Sequence, residues 1–277
     1  MAFKHSLVKI NGGFGNQLFQ YCFADYLKRN GHSVKINNYW FQSVNDKFKR
    51  SEVFPPEFYG FESADKKTLK LYELSDRYLD QVSFPIFRNF YDYNYSGKNE
   101  GLLNYFRGSW QNSKYLNSSK TFLTNSLIRN EIIKSGLKSK PMKNSVMMHI
   151  RNKNYLGDEL EISYFINSLN YLKSIIKDKI YVNVFSDNKN IIKNEKIAEI
   201  TDNFYSPTSD SDEEVVNTFA KMLKNDHFII SNSTFSYMVA FLKSKNENIT
   251  LMPNPWMYGN KNKSLKTKYF TEILRIK

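Results

Sequence analysis

The sequence holds a single cysteine, Cys22, in 277 residues. That excludes an internal disulfide framework and any cysteine-based zinc cluster. No apolar run is long enough to cross a bilayer, and Met1-Ala2-Phe3-Lys4-His5 does not open a secretory signal, so cytoplasmic residence is the simplest expectation. There is no Walker loop, no internal repeat and no low-complexity tract. Gly13-Phe14-Gly15-Asn16-Gln17-Leu18 begins like a dinucleotide fingerprint but lacks its third glycine. The second expected strand ends Lys35-Ile36-Asn37-Asn38, without the acid that would hold a ribose 2′-OH. A nicotinamide or flavin enzyme is therefore not expected, and no cofactor is.

Acidic residues are also scarce relative to basic ones, 27 against 40, which leaves a net charge of +13. Nucleic acid is one partner such a balance suits. The lysines are spread along the chain, however, at Lys66-Lys67, Lys138 to Lys143, Lys189 to Lys196 and Lys261 to Lys268, and form no RNA-binding signature. An anionic membrane surface or a diphosphate-linked substrate accounts for the charge equally well, and many of these lysines read simply as a solvated face. With 41% hydrophobic and 24% charged residues the composition is that of a folded, soluble chain. Its length allows one large α/β domain or two smaller ones.

What is present reads as α/β. A strand at Leu7–Ile10 precedes a helix whose apolar face is Leu18, Phe19, Cys22, Phe23, Tyr26 and Leu27. Lys28 and Arg29 fall in its last turn and Gly31 stops it. A second strand is expected at Ser33–Ile36. From Tyr39 to Tyr95 the pattern weakens, and long loops with short helices are expected. Leu102–Phe106 returns as a strand, with helix to about Ser135. Lys138-Ser139-Lys140-Pro141-Met142-Lys143 reads as a linker, giving halves at 1–140 and 141–277. Beyond it, strands at Val146–Ile150, Tyr181–Phe185, Phe228–Ile230 and Ile249–Met252 alternate with helices at Ser163–Ile176, Ser211–Lys224 and Phe235–Lys243. That alternation predicts a parallel sheet covered on both faces.

Polar residues cluster where these strands end, which is where open α/β sheets bind ligands. Asn11-Gly12-Gly13-Phe14-Gly15-Asn16-Gln17 follows the first strand. His149 and Arg151 close the strand Val146–Ile150. Ser231-Asn232-Ser233-Thr234-Phe235-Ser236 lies between a strand and a helix start. Arg151 suits a forked, charge-assisted hydrogen bond to a diphosphate. Ser233, Thr234 and Ser236, with the helix N-terminus, suit the same phosphates, although capping alone would also explain Ser233 or Thr234. Asp187 suits either a guanine or ribose contact or a helix cap. Gly12, Gly13 and Gly15 would let backbone approach a ligand closely. Asp210-Ser211-Asp212 imitates a metal clamp, but Ser211 stands three residues before Glu214 as in a capping box, so no metal is expected.

These motifs resemble the α-1,2-fucosyltransferases of glycosyltransferase family 11, in particular the bacterial members. Gly12-Gly13-Phe14-Gly15-Asn16-Gln17-Leu18-Phe19-Gln20-Tyr21 matches that family's amino-terminal signature nearly residue for residue. Gly108-Ser109-Trp110-Gln111-Asn112-Ser113-Lys114-Tyr115-Leu116 resembles its Trp-Gln-Ser-x-Lys-Tyr-Phe element. His149-Ile150-Arg151, Phe185-Ser186-Asp187, Asn232 to Ser236, and Pro253 with Trp256 follow in family order. The resemblance implies a GT-B-like α/β arrangement of two Rossmann-like halves, the second holding the GDP-sugar and the first the acceptor. It implies inverting, metal-independent transfer of L-fucose from GDP-β-L-fucose to O2 of a galactose. On matching positions it implies donor contacts from Gly12, Gly13, Gly15, Asn16, Gln17, His149, Arg151, Asp187, Asn232, Ser233, Thr234, Phe235 and Ser236. Trp110, Gln111 and Tyr115 fall on the acceptor side, where Tyr39-Trp40-Phe41 and Phe54 to Phe61 would stack on sugar rings. Arg151 and His149 fall at the chemistry, and the base stays open among Asp158, Glu159 and Glu161.

The chain departs from the family at two places. Arg151-Asn152-Lys153-Asn154 stands where the family has Arg-Arg-x-Asp, and Asp187-Asn188 stands where it has paired aspartates. These changes leave room for another GDP-deoxyhexose such as GDP-colitose, or for a GDP-sugar-binding protein without turnover. The expected acceptor is a galactose-terminated, lipid-diphosphate-linked oligosaccharide of O-antigen or capsule assembly, met at the cytoplasmic face of the inner membrane. A nucleic-acid-binding protein is the alternative of another class, supported by charge alone.

Overall fold

A computed structural model describes residues 4–43, 46, 50–78, 86–92, 95–98, 100–152, 158–257, 265 and 267–274. The chain forms two compact units, Met1–Ser126 and Leu127–Lys277.

The first unit runs β1 (Lys4–Lys9), α1 (Phe14–Arg29), β2 (His32–Asn37), α2 (Trp40–Ser43), a 3-10 turn (Pro56–Tyr59), β3 (Glu62–Ser63), α3 (Lys66–Tyr78), β4 (Phe87–Tyr91), β5 (Leu103–Arg107) and α4 (Ser113–Leu127). Its strands lie in the order β3-β2-β1-β5-β4, every neighbouring pair parallel. The apolar face read from α1 is buried at Leu18, Phe19, Cys22, Phe23 and Leu27. Phe23 anchors an aromatic core: its ring stacks on Trp110 at 3.9 Å and meets Phe106 and Tyr115 edge-on. Between Tyr39 and Tyr95, where loops and short helices were expected, the chain builds the 13-residue α3 and the strands β3 and β4. Leu69 and Tyr72 of α3 pack with Leu7, Leu103 and Tyr105. Leu71, apolar but 47% exposed between Leu69 and Tyr72, blurs the helical period in the sequence.

At the amino-terminal edge of this sheet Glu100 is buried among donors. Lys4 Nζ binds it, Tyr95 Oη donates to it at 2.6 Å, and His32 Nε2 lies 3.3 Å away. His32 Nδ1 in turn meets Ser6 Oγ at 2.7 Å. Burial alone would raise the Glu100 carboxyl, but the hydrogen bonds from His32, Lys4 and Tyr95 outweigh it and bring it down to about 2.

The second unit comprises α5 (Glu131–Lys138), β6 (Ser145–Ile150), α6 (Ile162–Ile175), β7 (Tyr181–Ser186), a 3-10 turn (Lys189–Lys193), α7 (Glu195–Ile200), β8 (Asn203–Tyr205), α8 (Asp212–Met222), β9 (His227–Ile229), α9 (Thr234–Lys243), β10 (Thr250–Asn254) and β11 (Phe270–Leu274). Its six strands are all parallel, in the order β11-β10-β9-β6-β7-β8. Counted within the unit this is the Rossmann order, reversing direction between β6 and β9. Every residue of the central strand β6 is buried, as a strand covered on both faces requires. The unit begins before the linker read at Lys138–Lys143, because α5 packs on α8. A Cβ at Gly136 would lie 2.6 Å from the Ala220 carbonyl oxygen, so only glycine admits the approach.

Candidate active site

In the second unit the topological reversal brings the carboxyl ends of β6 and β9 side by side. His149 is the penultimate residue of β6, and its Nδ1 lies 3.0 Å from Ser231 Oγ, two residues beyond β9. Burial, reinforced by the Arg151 charge and opposed by Asp187, lowers the imidazole to about 3. His149 is therefore neutral at physiological pH and serves as a hydrogen-bonding group, and Arg151 supplies positive charge beside it. Arg151 follows β6 directly and is half-buried.

Asp187 follows β7. Its Oδ1 accepts the Asn152 N–H at 2.8 Å, joining the ends of β6 and β7. The helix-cap role is taken by the next residue: Asn188 accepts from Asn190 N–H at 3.0 Å. Ser233 is the N-cap position of α9 but makes no side-chain cap bond. The first helical bond runs from Tyr237 N–H to Ser233 O. The N–H groups of Thr234, Phe235 and Ser236 thus precede any intrahelical acceptor and carry the positive end of the helix dipole. Thr234 and Phe235 are half-buried; Phe235 packs edge-on against Phe219 and tilted against His149. Ser236 is fully buried and donates its hydroxyl to Ser233 O at 3.2 Å, so its side chain steadies the turn. Asn232 Nδ2 donates to Asp158 O at 2.6 Å and lies 3.5 Å from its Oδ2. Of the base candidates, Asp158 is thereby tied to this edge and buried, whereas Glu161 is exposed at the start of α6. Glu159 is exposed as well. Lys153 and Asn154 lie outside the described residues.

The first unit has its own reversal, between β1 and β5, and the amino-terminal signature sits there. Gly12 takes a left-handed φ of +78°, which glycine tolerates. Gly13 is the N-cap position of α1, and Gly15 is buried in its first turn. Gln17 is spent within the unit. Its Nε2 donates to Gly12 O at 3.0 Å and Ser51 O at 2.8 Å, and its Oε1 accepts from Val53 N–H at 3.2 Å. Gln20 does the same between Asn11 and Gly108. The glutamines of the signature thus hold the loop in shape. Asn16 Oδ1 accepts from Gln111 Nε2 at 3.1 Å, and both residues are half-buried at this edge.

Two residues placed on the acceptor side face inward instead. Trp110 is 1% exposed and stacked on Phe23, and Tyr115 is buried beside them. Asp92, which sequence reading missed, braces the turn before Trp110. Its carboxylate accepts from Ser109 N–H, Ser109 Oγ and Trp110 N–H, at 3.0, 2.8 and 3.1 Å, and Trp110 takes a φ of 53°. Tyr39 stays exposed and Trp40 half-exposed under the Arg50 guanidinium. Glu52 also carried no signal in the sequence. It is held by Asn38 Nδ2 at 2.9 Å, and burial raises its carboxyl.

Among the described residues no group of three or more His, Cys, Asp or Glu is placed to hold a metal ion. Ser211 caps α8, accepting from Glu214 N–H at 3.3 Å. Glu214 turns to Thr208 N–H rather than completing the box. The family model for Glycosyl transferase family 11 matches residues 7–273. The chain belongs to glycosyl transferase family 11. A comparison with curated proteins found no match. Among solved structures, the chain is similar to the fucosyltransferase NodZ from Bradyrhizobium, at 10% identity over 88% of this chain and 93% of that one, with a TM-score of 0.45. It is also similar to a glycosyl transferase family 9 protein from Veillonella parvula (11% identity, 99% and 88% covered, TM-score 0.47). A mutant of Arabidopsis thaliana FUT1 in complex with GDP gives 12% identity, 87% and 68% coverage and a TM-score of 0.45. Likenesses this distant add nothing to the family assignment. No helix among the described residues is long and apolar enough to cross a membrane.

Proposed function

We propose that this family 11 glycosyltransferase moves L-fucose from GDP-β-L-fucose to O2 of a terminal galactose, with inversion and without a metal ion. The observation that carries the reading is the meeting of His149, Arg151, Asp187 and the α9 N-terminus at the strand-order reversal of the second unit. The acceptor oxygen attacks C1, the bond from C1 to the diphosphate breaks, and the hydroxyl proton leaves with a base. Negative charge grows on the departing GDP, where Arg151 and the first N–H groups of α9 stabilise it without a cation. Neutral His149 keeps Ser231 in place and adds no competing charge. Asp158 is the best placed of the three base candidates, because Asn232 ties it to the same edge. In this reading the two units are the halves of a GT-B-like enzyme, and the first presents Gln111, bonded to the donor-side Asn16, to the acceptor. The oligosaccharide would be lipid-diphosphate-linked, as in O-antigen or capsule assembly.

Asn152, which stands where the resemblance expects a second arginine, favours one other reading, transfer from a different GDP-deoxyhexose such as GDP-colitose. A donor screen decides between them. Thermal stabilisation by GDP, GDP-fucose, GDP-mannose, GDP-colitose and UDP is measured first, since ligands of the folded state raise Tm. Transfer to terminal β-galactosides is then followed in EDTA. The reading predicts stabilisation by GDP and a product with GDP-fucose whose new linkage is α-1,2. Stabilisation by UDP alone, or turnover that needs added manganese, would reject it.

A further inference from the structure

The edge of the second sheet opposite the candidate site is built from the segments that lead into β6 and β7. Asn144 Nδ2 donates to Lys179 O, Tyr181 N–H donates to Asn144 O, and Lys143 Nζ meets Asp178 at 2.7 Å. These bonds hold the two segments together as one surface. Lys143, Lys173, Lys177 and Lys179 are all exposed there. Met142 and Ile175 project from the same segments, 50% and 48% exposed, although both are large apolar side chains. The carboxylates of this stretch are already engaged: Asp178 by Lys143, and Asp202 by Val182 N–H at 2.7 Å. With Lys143 paired to Asp178, the surface presents two exposed apolar side chains together with the exposed cations Lys173, Lys177 and Lys179. That is the chemistry of a face that seats at a membrane interface, apolar tips among the headgroups and lysines on lipid phosphates.

We propose that this amino-terminal edge of the second sheet docks on an anionic lipid bilayer. Nucleic acid would use the lysines but gives Met142 and Ile175 no role. Docking here leaves His149, Arg151 and the α9 N-terminus at the far ends of the same strands, clear of the bilayer. The inference stands apart from the donor assignment, because it is tested without any sugar nucleotide.

The test is co-sedimentation of the full chain with vesicles of phosphatidylcholine alone or with about a third phosphatidylglycerol, at low and high salt. Three proteins are compared: the unaltered chain, K173Q/K177Q/K179Q, and the control K66Q/K67Q/K70Q, which removes equal charge from exposed positions of α3. The unaltered chain is expected to bind only the anionic vesicles and to be released by salt. The patch variant should lose about tenfold or more in apparent affinity and the control less than about twofold. Ile175→Ser should weaken binding with no change in net charge. Equal loss in both triple variants, no binding by the unaltered chain, or tighter patch-dependent binding to duplex DNA at the same ionic strength would each overturn the proposal.

Discussion

Asp187 Oδ1 accepts the backbone N–H of Asn152 at 2.8 Å, so the turn that carries Arg151 is pinned from the neighbouring strand. Asp187→Ala removes that pin and leaves a donor without its charged acceptor. GDP affinity should fall about tenfold, the effect of about 1.4 kcal/mol. Asp187→Asn keeps an acceptor oxygen and should lose less. Calorimetric titration with GDP separates the two, and equal losses would mean that the carboxylate charge, rather than the pinned turn, is what matters.

Among the described residues at these strand ends Arg151 carries the positive charge, because His149 is held neutral. Arg151→Ala should cost about 1.5–3 kcal/mol of GDP binding, the range of a hydrogen bond to a charged group. Arg151→Lys should restore only part of it, since an ammonium cannot make the forked contact. Guanosine, which has no phosphate, serves as the control ligand and should bind all three proteins alike. A GDP affinity unchanged by Arg151→Ala would move the diphosphate elsewhere.

Much of this was legible in the sequence where local pattern and tertiary role agree. β6 and β9 read as apolar runs because buried parallel strands need no polar alternation. The polar residues just past them stood out by contrast. α3 was not legible, because the exposed Leu71 stands between Leu69 and Tyr72, which pack inward, and blurs the helical period. Trp110 shows a different failure. An aromatic in a Gly-Ser-Trp-Gln stretch reads equally as a sugar platform or a core residue, and the turn before it is braced by Asp92, 18 residues away in sequence. Gln17 was likewise read with a ligand in view, and only the fold shows its amide bonded to Gly12 and Ser51.

The Asp92 turn makes its own prediction. A Cβ at Gly108 would stand 1.7 Å from Asp92 Oδ1 and 3.2 Å from the Asp92 backbone nitrogen. Gly108→Ala should therefore destabilise the protein by about 1–3 kcal/mol, as overpacking does. Asp92→Ala costs the carboxylate's three hydrogen bonds but clears the space. The double variant should then be more stable than the sum of the single losses implies, and urea denaturation of the four proteins in a cycle reads the coupling. Strict additivity would show that the close approach is not what requires glycine.

Acid sensitivity follows from three groups whose folded and unfolded proton affinities differ. His149 falls from its ordinary 6.5 to about 3, so below pH 6.5 the unfolded chain takes a proton that the folded one refuses. His227 is lowered in the same direction, by burial opposed by Asp226. Both contributions are complete above the unfolded value and are lost as pH falls. Glu100 drops from 4.5 to about 2, so its share is complete above pH 4.5 and disappears as pH falls toward 2. Stability should thus decline in two stages, first between pH 6.5 and about 4.5 through the histidines, then more steeply as Glu100 adds to His149, whose share runs on to about pH 3. His149→Gln should flatten the first stage and make the second less steep down to about pH 3, leaving the Glu100 share. Glu100→Gln should lower stability at pH 7 by about 1–3 kcal/mol, by weakening a buried acceptor with three donors, and should flatten only the second stage. Urea midpoints across this pH range distinguish the two. A first stage that survives His149→Gln undiminished would mean that His227 or another group carries it.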